Sequence, residues 1–182
     1  MMNTFVVHVE DKPGVLNRIA SLFRRRAFNI ESLTVGHTER PGISRMTIVV
    51  ETDADEAQRI EANLYKLVNV LHVQNVTAVP TVHRDLALIK VSAKSESTRT
   101  HLIQLVNIFR AHVVDVTPES MVVEITGTEE KIDGLLEVLR PFGVTEMVRT
   151  GRVAISRGAA CVANHHLDGD YLAEQDEISI TQ

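Results

Sequence analysis

The sequence has few residues of several types, and each shortage excludes a structural feature or a class of protein. It contains one cysteine, Cys161, so an intrachain disulfide is excluded and a reducing compartment is favoured. It has no tryptophan and only 4% aromatic residues, so the cores must be packed from aliphatic side chains. No apolar run approaches the roughly 20 residues that span a membrane, and no signal-peptide pattern precedes the first apolar segment. We therefore expect a cytoplasmic protein with no membrane contact.

Net charge is absent from most of the sequence. Residues 1–80 carry nine basic and nine acidic residues, and residues 81–158 carry ten of each. The whole net charge of −5 lies in residues 159–182, which hold five acidic residues and no Lys or Arg. Neutral domains argue against a nucleic-acid partner, because phosphate binding needs a basic surface. We expect the acidic tail, 159–182, to be disordered.

A strand-to-helix loop near the N-terminus is the most informative local feature. Alternating apolar residues predict a strand over Thr4–Glu10, and helical periodicity begins at residue 15. Between them, Asp11 can cap the helix, Pro13 suits its start, and Gly14 permits close approach of another group. The free N–H groups of the first helical turn can bind a small carboxylate. A tight structural turn with no ligand is the alternative.

The first half of the chain predicts the element order βαββαβ. After the helix over 15–26, we expect strands over 29–38 and around 46–50, a helix started by an Asp53 and Glu56 capping box, and a strand over 70–79. This order is typical of a ferredoxin-like domain, in which an antiparallel sheet is covered on one face by two helices. We assign it to residues 1–79.

The second half, residues 80–158, repeats this order without obvious sequence identity. We expect a strand over 86–93, then a helix with Leu102, Leu105, Val106 and Phe109 at helical spacing. Two strands flank Pro118, and Thr128 caps a further helix that ends near Pro141. One or two strands close the domain within 144–156. The fold class is therefore α+β, with two ferredoxin-like domains.

Apolar residues on both faces of the first strand suggest that the uncovered sheet face meets a partner. Phe5, Val7 and Val9 occupy one face, and Val6 occupies the other. Because the helices cover only one face, an apolar second face favours association. We expect a homodimer formed through the first domain.

Several sequence stretches together resemble a known family. Residues 3–78 resemble an ACT domain, and residues 3–158 resemble the small regulatory subunit of acetolactate synthase. The stretches that carry the resemblance are Pro13-Gly14-Val15-Leu16, Asn29-Ile30-Glu31-Ser32-Leu33-Thr34-Val35, Ser44-Arg45-Met46-Thr47-Ile48, Lys66-Leu67-Val68-Asn69-Val70, Asp115-Val116-Thr117-Pro118, and Arg149-Thr150-Gly151 with Ser156-Arg157-Gly158.

The resemblance implies a regulatory chain without catalytic residues. Such a chain binds and activates a separate catalytic large subunit of acetolactate synthase and confers feedback inhibition by valine. Thiamine diphosphate, Mg²⁺ and FAD are expected on that catalytic subunit, with no cofactor in this chain. A stand-alone ACT-domain amino-acid sensor that regulates another enzyme is the alternative.

The resemblance also implies an effector site between two ACT domains. One chain contributes the loop after its first strand, and the other contributes the start of its second strand. The corresponding residues here are Asp11, Gly14, Val15 and Leu16, with Asn29 and Ile30 from the other chain. The backbone N–H groups of Gly14, Val15 and Leu16 would hold the α-carboxylate, the side-chain oxygens of Asp11 and Asn29 would accept from the ammonium, and Leu16 and Ile30 would line an apolar slot. Many relatives place Asn where this chain has Asp11.

Three other function classes find little support in the residues. The sequence lacks a phosphate-binding glycine loop, a nucleophile elbow and a catalytic triad, which argues against an enzyme. An RNA-binding sheet needs stacking aromatics on its central strands, but the corresponding strands here are aliphatic. Metal-ligand residue types occur in the tail at Cys161, His165, His166 and Asp168, although their spacing matches no metal site that we know. We expect no metal.

Overall fold

The computed structural model describes residues 1–158, so the predictions made for the acidic tail lie outside the described residues. In chain order the elements are β1 (Met2–Glu10), α1 (Val15–Arg25), β2 (Ile30–His37), β3 (Ile43–Glu51), α2 (Ala54–Leu64), β4 (Val70–Asn75), β5 (Thr81–Ser92), α3 (Glu96–Ile108), β6 (His112–Val116), β7 (Ser120–Gly127), α4 (Glu129–Leu139), a 3₁₀ turn (Arg140–Phe142), β8 (Val144–Arg149) and β9 (Val153–Ser156). Within the described part, no helix is long and apolar enough to cross a membrane. Two compact units result: Met1–Val82 with residues 154–158, and His83–Val153.

The first unit has the predicted ferredoxin-like topology. Its antiparallel sheet has the order β2-β3-β1-β4. Phe5, Val7 and Val9, which alternation places on one face of β1, form one core with alternate residues of β3 and the apolar faces of α1 and α2. The helices therefore cover this face of the sheet, and α1 contributes its buried side chains from Val15 to Phe23.

The opposite face of this sheet corrects one step of the dimer argument. Val6 points away from the helices, is fully buried, and clusters with Val76 and Ala154 of the same unit. The guanidinium of Arg45 donates to the carbonyl oxygen of Ala154. The apolar second face of β1 is thus covered by the chain itself, because the segment after β8 returns to it. It gives no independent reason to expect a second chain.

The two edges of this sheet differ in how their backbone groups are satisfied. At the β4 edge, the hydroxyl of Tyr65 donates to the Val73 carbonyl at 2.9 Å and accepts from the Val73 N–H at 3.0 Å. One side chain therefore occupies a backbone position that another strand would need. At the other edge, the only strand that pairs with β2 among the described residues is β3. The contact of Tyr65 therefore makes the β4 edge the less available of the two for a further strand.

The second unit repeats the topology with one addition. Its strands have the order β6-β7-β5-β8, and β9, most of which belongs to the first unit, pairs with β5 outside this order as the fifth strand of the sheet. The buried face includes Leu102 and Val106 of α3 and Ile132, Leu135 and Leu139 of α4. Leu105 and Phe109 of the predicted stripe pack partly buried against this core.

A buried ion pair closes the second unit. Asp85 is only 8% exposed, and its carboxylate accepts from Arg149 Nε at 3.1 Å and Nη2 at 2.8 Å. The same guanidinium also reaches Asp133 on α4 at 3.0 Å. Thr150 adds backbone and hydroxyl bonds to Leu86. The Arg149-Thr150 pair of the family resemblance therefore fastens the end of β8 to the start of the domain.

Helix capping follows the predicted positions but not all of the predicted bonds. Asp53 caps α2, with Oδ1 accepting from the Glu56 N–H at 2.8 Å, but the Glu56 carboxylate accepts from the hydroxyl of Thr52 rather than returning to the cap. Thr128 occupies the N-cap of α4 without a side-chain cap bond. Its hydroxyl bonds to Glu130 and helps to lower the pKa of that carboxyl, after a larger contribution from the Glu130 backbone.

Candidate functional site

The loop between β1 and α1 is anchored on both sides. The Asp11 N–H donates to the Gly42 carbonyl at 2.7 Å, which joins the loop to the turn between β2 and β3. On the other side, the Asn69 side chain donates to Glu10 and accepts from Arg18. Hydrogen bonds from Asn69 and then Lys12 lower the pKa of Glu10. The loop is therefore a fixed element with its base tied to three parts of the unit.

The N-terminus of α1 differs from the prediction at its cap. Gly14 is the N-cap residue with φ +85°, a left-handed conformation that favours glycine, and no side chain caps the helix. The prediction that Asp11 caps α1 is therefore wrong. Asp11 lies too early in the chain, because the helix starts one turn later than a capping Asp11 would require.

The free N–H groups of the first turn only partly match the expected donors, Gly14, Val15 and Leu16. The Val15 N–H donates to the Lys12 carbonyl at 3.3 Å, and the Gly14 carbonyl accepts from the Arg18 N–H at 3.0 Å. Within residues 1–158 the N–H groups of Gly14, Leu16 and Asn17 find no acceptor. These three groups, at a helix N-terminus, offer hydrogen bonds and a positive dipole end to a carboxylate.

The side chains of the loop are directed differently from one another. Val15 is buried at 4% exposure in the core of the first unit, so its side chain is not available to a ligand. Leu16 is 44% exposed. The Asp11 carboxylate lies 3.3 Å from Nδ1 of His37, the last residue of β2. Of the four loop residues, Leu16 and Asp11 carry the exposed side chains and Gly14 carries a free N–H.

The second half of the expected site lies at the start of β2. The exposed Asn29 donates through Nδ2 to the carboxylate of Glu31, which leaves Oδ1 of the amide to accept a hydrogen bond. Ile30 is partly buried against the core of its own unit. An incoming ammonium at this position would therefore meet an amide oxygen and a nearby carboxylate.

One chain alone does not bring the two halves together. Ile30 pairs with Val50, which in turn pairs with Asn3 near the start of β1, whereas the loop follows the last residue of β1. The halves lie at opposite ends of the sheet, separated by about 23 Å for the seven residue steps of β2. A site that uses both must be formed by two chains.

Sequence reasoning missed three participants. Asn17 supplies a free N–H in place of Val15, which the general rule for first-turn donors could have identified. Glu31 orients the Asn29 amide, and His37 contacts Asp11. The contact between His37 and Asp11 has no local sequence signal, because it depends on the register of three strands.

Two further kinds of site are at issue in the described residues: clefts and metal-binding groups. A cleft of about 630 Å³ lies in the second unit, and it contains no predicted site residue; its lining is Lys90, Ser92, Lys94, Thr117, Pro118, Glu119, Ser120 and Thr145. Residues 1–158 hold no group of three or more His, Cys, Asp or Glu side chains that could bind a metal ion. The metal-ligand types of the tail lie outside the described residues.

Two protein-family descriptions match this chain. Residues 5–72 match the ACT domain of acetohydroxyacid synthase small-subunit-like proteins, and residues 84–158 match the small subunit of acetolactate synthase. The two matches follow one another along the chain and cover both units.

Relatives and a solved structure agree with these matches. A probable acetolactate synthase small subunit of Methanothermobacter thermautotrophicus is 52% identical over 151 residues, which is 83% of this chain and 90% of that protein. The acetolactate synthase small subunit of Mycolicibacterium smegmatis is 51% identical over 156 residues, covering 86% and 91%. The crystal structure of the Thermotoga maritima small subunit superposes with a TM-score of 0.81 at 39% identity, covering 88% of this chain and 99% of that one.

Proposed function

The chain belongs to the family of acetolactate synthase small subunits, and we propose that it activates a catalytic large subunit and makes that subunit sensitive to valine. Thiamine diphosphate, Mg²⁺ and FAD belong to the catalytic subunit in this proposal, and the assembly acts in the cytoplasm. The regulatory role follows from the family. The effector, the dimer and the activation are our proposals.

The observation that carries the effector proposal is the position of the two half-sites. The free N–H groups of Gly14, Leu16 and Asn17 lie at one end of β2, and Asn29 lies at the other. If two copies pair antiparallel along their β2 edges, the start of each β2 lies beside the end of the other. The two-fold axis then forms two equivalent sites, each from the loop of one chain and Asn29 of its partner. The Tyr65-occupied β4 edge favours the same choice of edge.

The chemistry of each site suits an α-amino acid. The first-turn N–H groups of one chain would hold the carboxylate, while Asp11 and the Asn29 Oδ1 of the partner subunit would accept from the ammonium. The exposed Leu16 side chain would contact an aliphatic side chain of the ligand. These contacts would favour a branched-chain amino acid without ranking valine against leucine or isoleucine, since one methylene changes binding by only about 1–3 kcal/mol.

Inhibition requires that the effector site and the catalytic partner be thermodynamically coupled. Such coupling is typically about 1–3 kcal/mol, and it must be reciprocal. The catalytic subunit should therefore change the valine affinity of this chain by the factor by which valine changes subunit binding. A valine titration with and without the catalytic subunit measures this factor directly.

Reconstitution with the cognate catalytic subunit tests the proposal. We expect this chain to raise acetolactate formation and valine to reverse that increase. Two single variants, Gly14→Asp and Asn29→His, should each retain activation and lose valine inhibition. Gly14→Asp places a negative charge beside the N–H groups that would bind the ligand carboxylate. Asn29→His changes the side chain that would accept from the ligand ammonium.

A mixture of the two variants separates an inter-subunit site from a site within one chain. In a mixed dimer, one site carries both changes, but the other combines an unaltered loop with an unaltered Asn29. Co-refolded variants should therefore recover partial valine inhibition that neither variant shows alone. Absence of recovery in verified mixed dimers contradicts the two-chain site. Valine binding without any effect on acetolactate formation would instead support a stand-alone sensor.

A further inference from the structure

The contact between Asp11 and His37 brings a basic side chain to the carboxylate expected to receive a ligand ammonium. The Asp11 Oδ2 and His37 Nδ1 atoms are 3.3 Å apart. Asp11 follows the end of β1, and His37 ends β2, so the contact crosses the end of the intervening strand β3. The pair therefore lies where the proposed site would place the effector's amino group.

Backbone hydrogen bonds fix both partners of this contact. The Asp11 N–H is bound to the Gly42 carbonyl at 2.7 Å. Directly after His37, the Thr38 N–H donates to the Ile43 carbonyl at 3.1 Å. Both main-chain segments are thus joined to the same short turn between β2 and β3. The relative position of the two main-chain segments is therefore set by this turn.

The other cationic side chains near Asp11 are placed against other carboxylates. Lys12, the next residue, pairs with Glu10 at 3.2 Å. Arg40, in the adjoining turn, pairs with Glu39 at 4.0 Å. Each nearby cation therefore has an acidic neighbour of its own, and His37 is the basic group placed against Asp11.

We infer that His37 competes with the effector's ammonium for the Asp11 carboxylate and thereby sets the affinity of the site. This inference rests on the proposed function. An ammonium and an imidazole N–H are both drawn to the same carboxylate oxygens, so a ligand ammonium that takes the position of the His37 imidazole must displace this contact. The side chain of Asp11 is 46% exposed and that of His37 is 83% exposed. The displaced contact is therefore weak, and its effect on valine affinity is modest.

A double-variant cycle with the full-length chain measures this competition. Valine affinity is determined by calorimetry for the unaltered protein, His37→Ala, Asp11→Asn and the double variant. We expect His37→Ala to tighten valine binding by about two- to fivefold. In the Asp11→Asn background the same change should have no effect, because the carboxylate for which the two groups compete is gone.

A ligand without an ammonium provides the specific readout. The probe is 3-methylbutanoate, which keeps the carboxylate and the isopropyl group of valine. Its binding should not tighten in His37→Ala, whereas a general loosening of the loop would change both ligands. His101→Ala, at an exposed position on α3 of the other unit, is the matched control and should leave both affinities unchanged.

The possible outcomes separate this inference from the proposed function. Unchanged or weaker valine binding in His37→Ala overturns the competition and leaves the effector site standing. Equal tightening of 3-methylbutanoate also overturns it, since the effect would not depend on the ammonium. Failure of the unaltered chain to bind valine, both alone and in the reconstituted complex, overturns the proposed function and this inference with it.

Discussion

At the scale of single residues, the backbone conformation of Gly14 decides what the loop can offer. Gly14 is the N-cap of α1 with φ +85°, and no side chain caps the helix. A capping Asp, Ser or Thr would consume one of the first-turn N–H groups, because its oxygen accepts from them. The absence of a side-chain cap in this chain keeps those donors available to a ligand.

The first prediction concerns charge at this residue. No heavy atom outside the immediate chain neighbours lies within 4 Å of a Cβ built on Gly14, so a substitution there causes no steric clash. Gly14→Asp and Gly14→Asn carry similar backbone strain, since Asp and Asn both tolerate positive φ. We expect Gly14→Asp to raise the valine concentration for half-inhibition about tenfold or more relative to Gly14→Asn, because it adds a negative charge beside the N–H groups that would bind the ligand carboxylate. Inhibition assays on the two reconstituted variants measure this ratio. Equal valine concentrations for half-inhibition would show that charge at residue 14 is unimportant.

At the same scale, the candidate site was only partly predictable from the sequence. The loop was recognisable from Pro13 and Gly14, but its donors were not, because the turn bond from Val15 to Lys12 is a detail of loop closure. The exposed Leu16 and buried Val15 are adjacent in sequence, and only their positions on the helix separate an exposed side chain from a core one. His37 and Asp11 are 26 positions apart and meet through strand register.

At the scale of elements, the helices and most strands follow from apolar periodicity. Both α1 and α3 have their buried residues at the predicted spacing. The two strands β8 and β9 fall within the predicted range 144–156, but the early start of β5 at Thr81 and the pairing of β9 with β5 were not predicted. Residues 81–84 carry no alternating apolar pattern, and the pairing of β9 with β5 joins distant parts of the chain, so neither has a local cause.

The second prediction tests the β2 edge as the dimer interface. Val35 lies in β2 and is 44% exposed, and Val68 is 89% exposed just beyond α2. Val35→Glu should weaken dimerisation, because two-fold pairing brings two copies of the new carboxylate near one another and desolvates them. Val68→Glu adds the same charge away from this edge and should leave the dimer intact. Sedimentation velocity distinguishes the variants, and equal behaviour of the two would exclude β2 as the interface.

At the scale of the whole molecule, one buried histidine links stability to pH. His8 in β1 is 5% exposed, and its Nδ1 has no hydrogen-bond partner within residues 1–158. Burial, with smaller contributions from the positive charges of Arg45 and His72, lowers the pKa of His8 to about 4. The opposing effect of Glu39 is smaller. The folded protein therefore keeps this imidazole neutral where an unfolded chain would protonate it.

The third prediction follows from the sign of this shift. Between an ordinary histidine pKa near 6.5 and the folded value of about 4, the unfolded state binds the proton more readily. The free energy of unfolding should therefore fall as the pH falls through this range, with up to about 3 kcal/mol from His8. Urea unfolding at pH 7 and pH 4.5 measures the loss. His8→Gln should reduce it, while His101→Gln, an exposed control, should not. Identical losses in all three proteins would assign the pH dependence to other groups.

Tyr65 has a consequence for how far such a molecule can assemble. A sheet with two receptive edges can recruit copies without end, as fibrils do. In the first unit, the hydroxyl of Tyr65 already binds both backbone groups of Val73, so addition of a strand at β4 is hindered at this residue. The proposed two-fold pairing would use the β2 edge of each copy and leave the hindered β4 edges at the two ends of the merged sheet. Such a sheet would have eight strands, twice the four of the first unit, and Tyr65 would disfavour further growth.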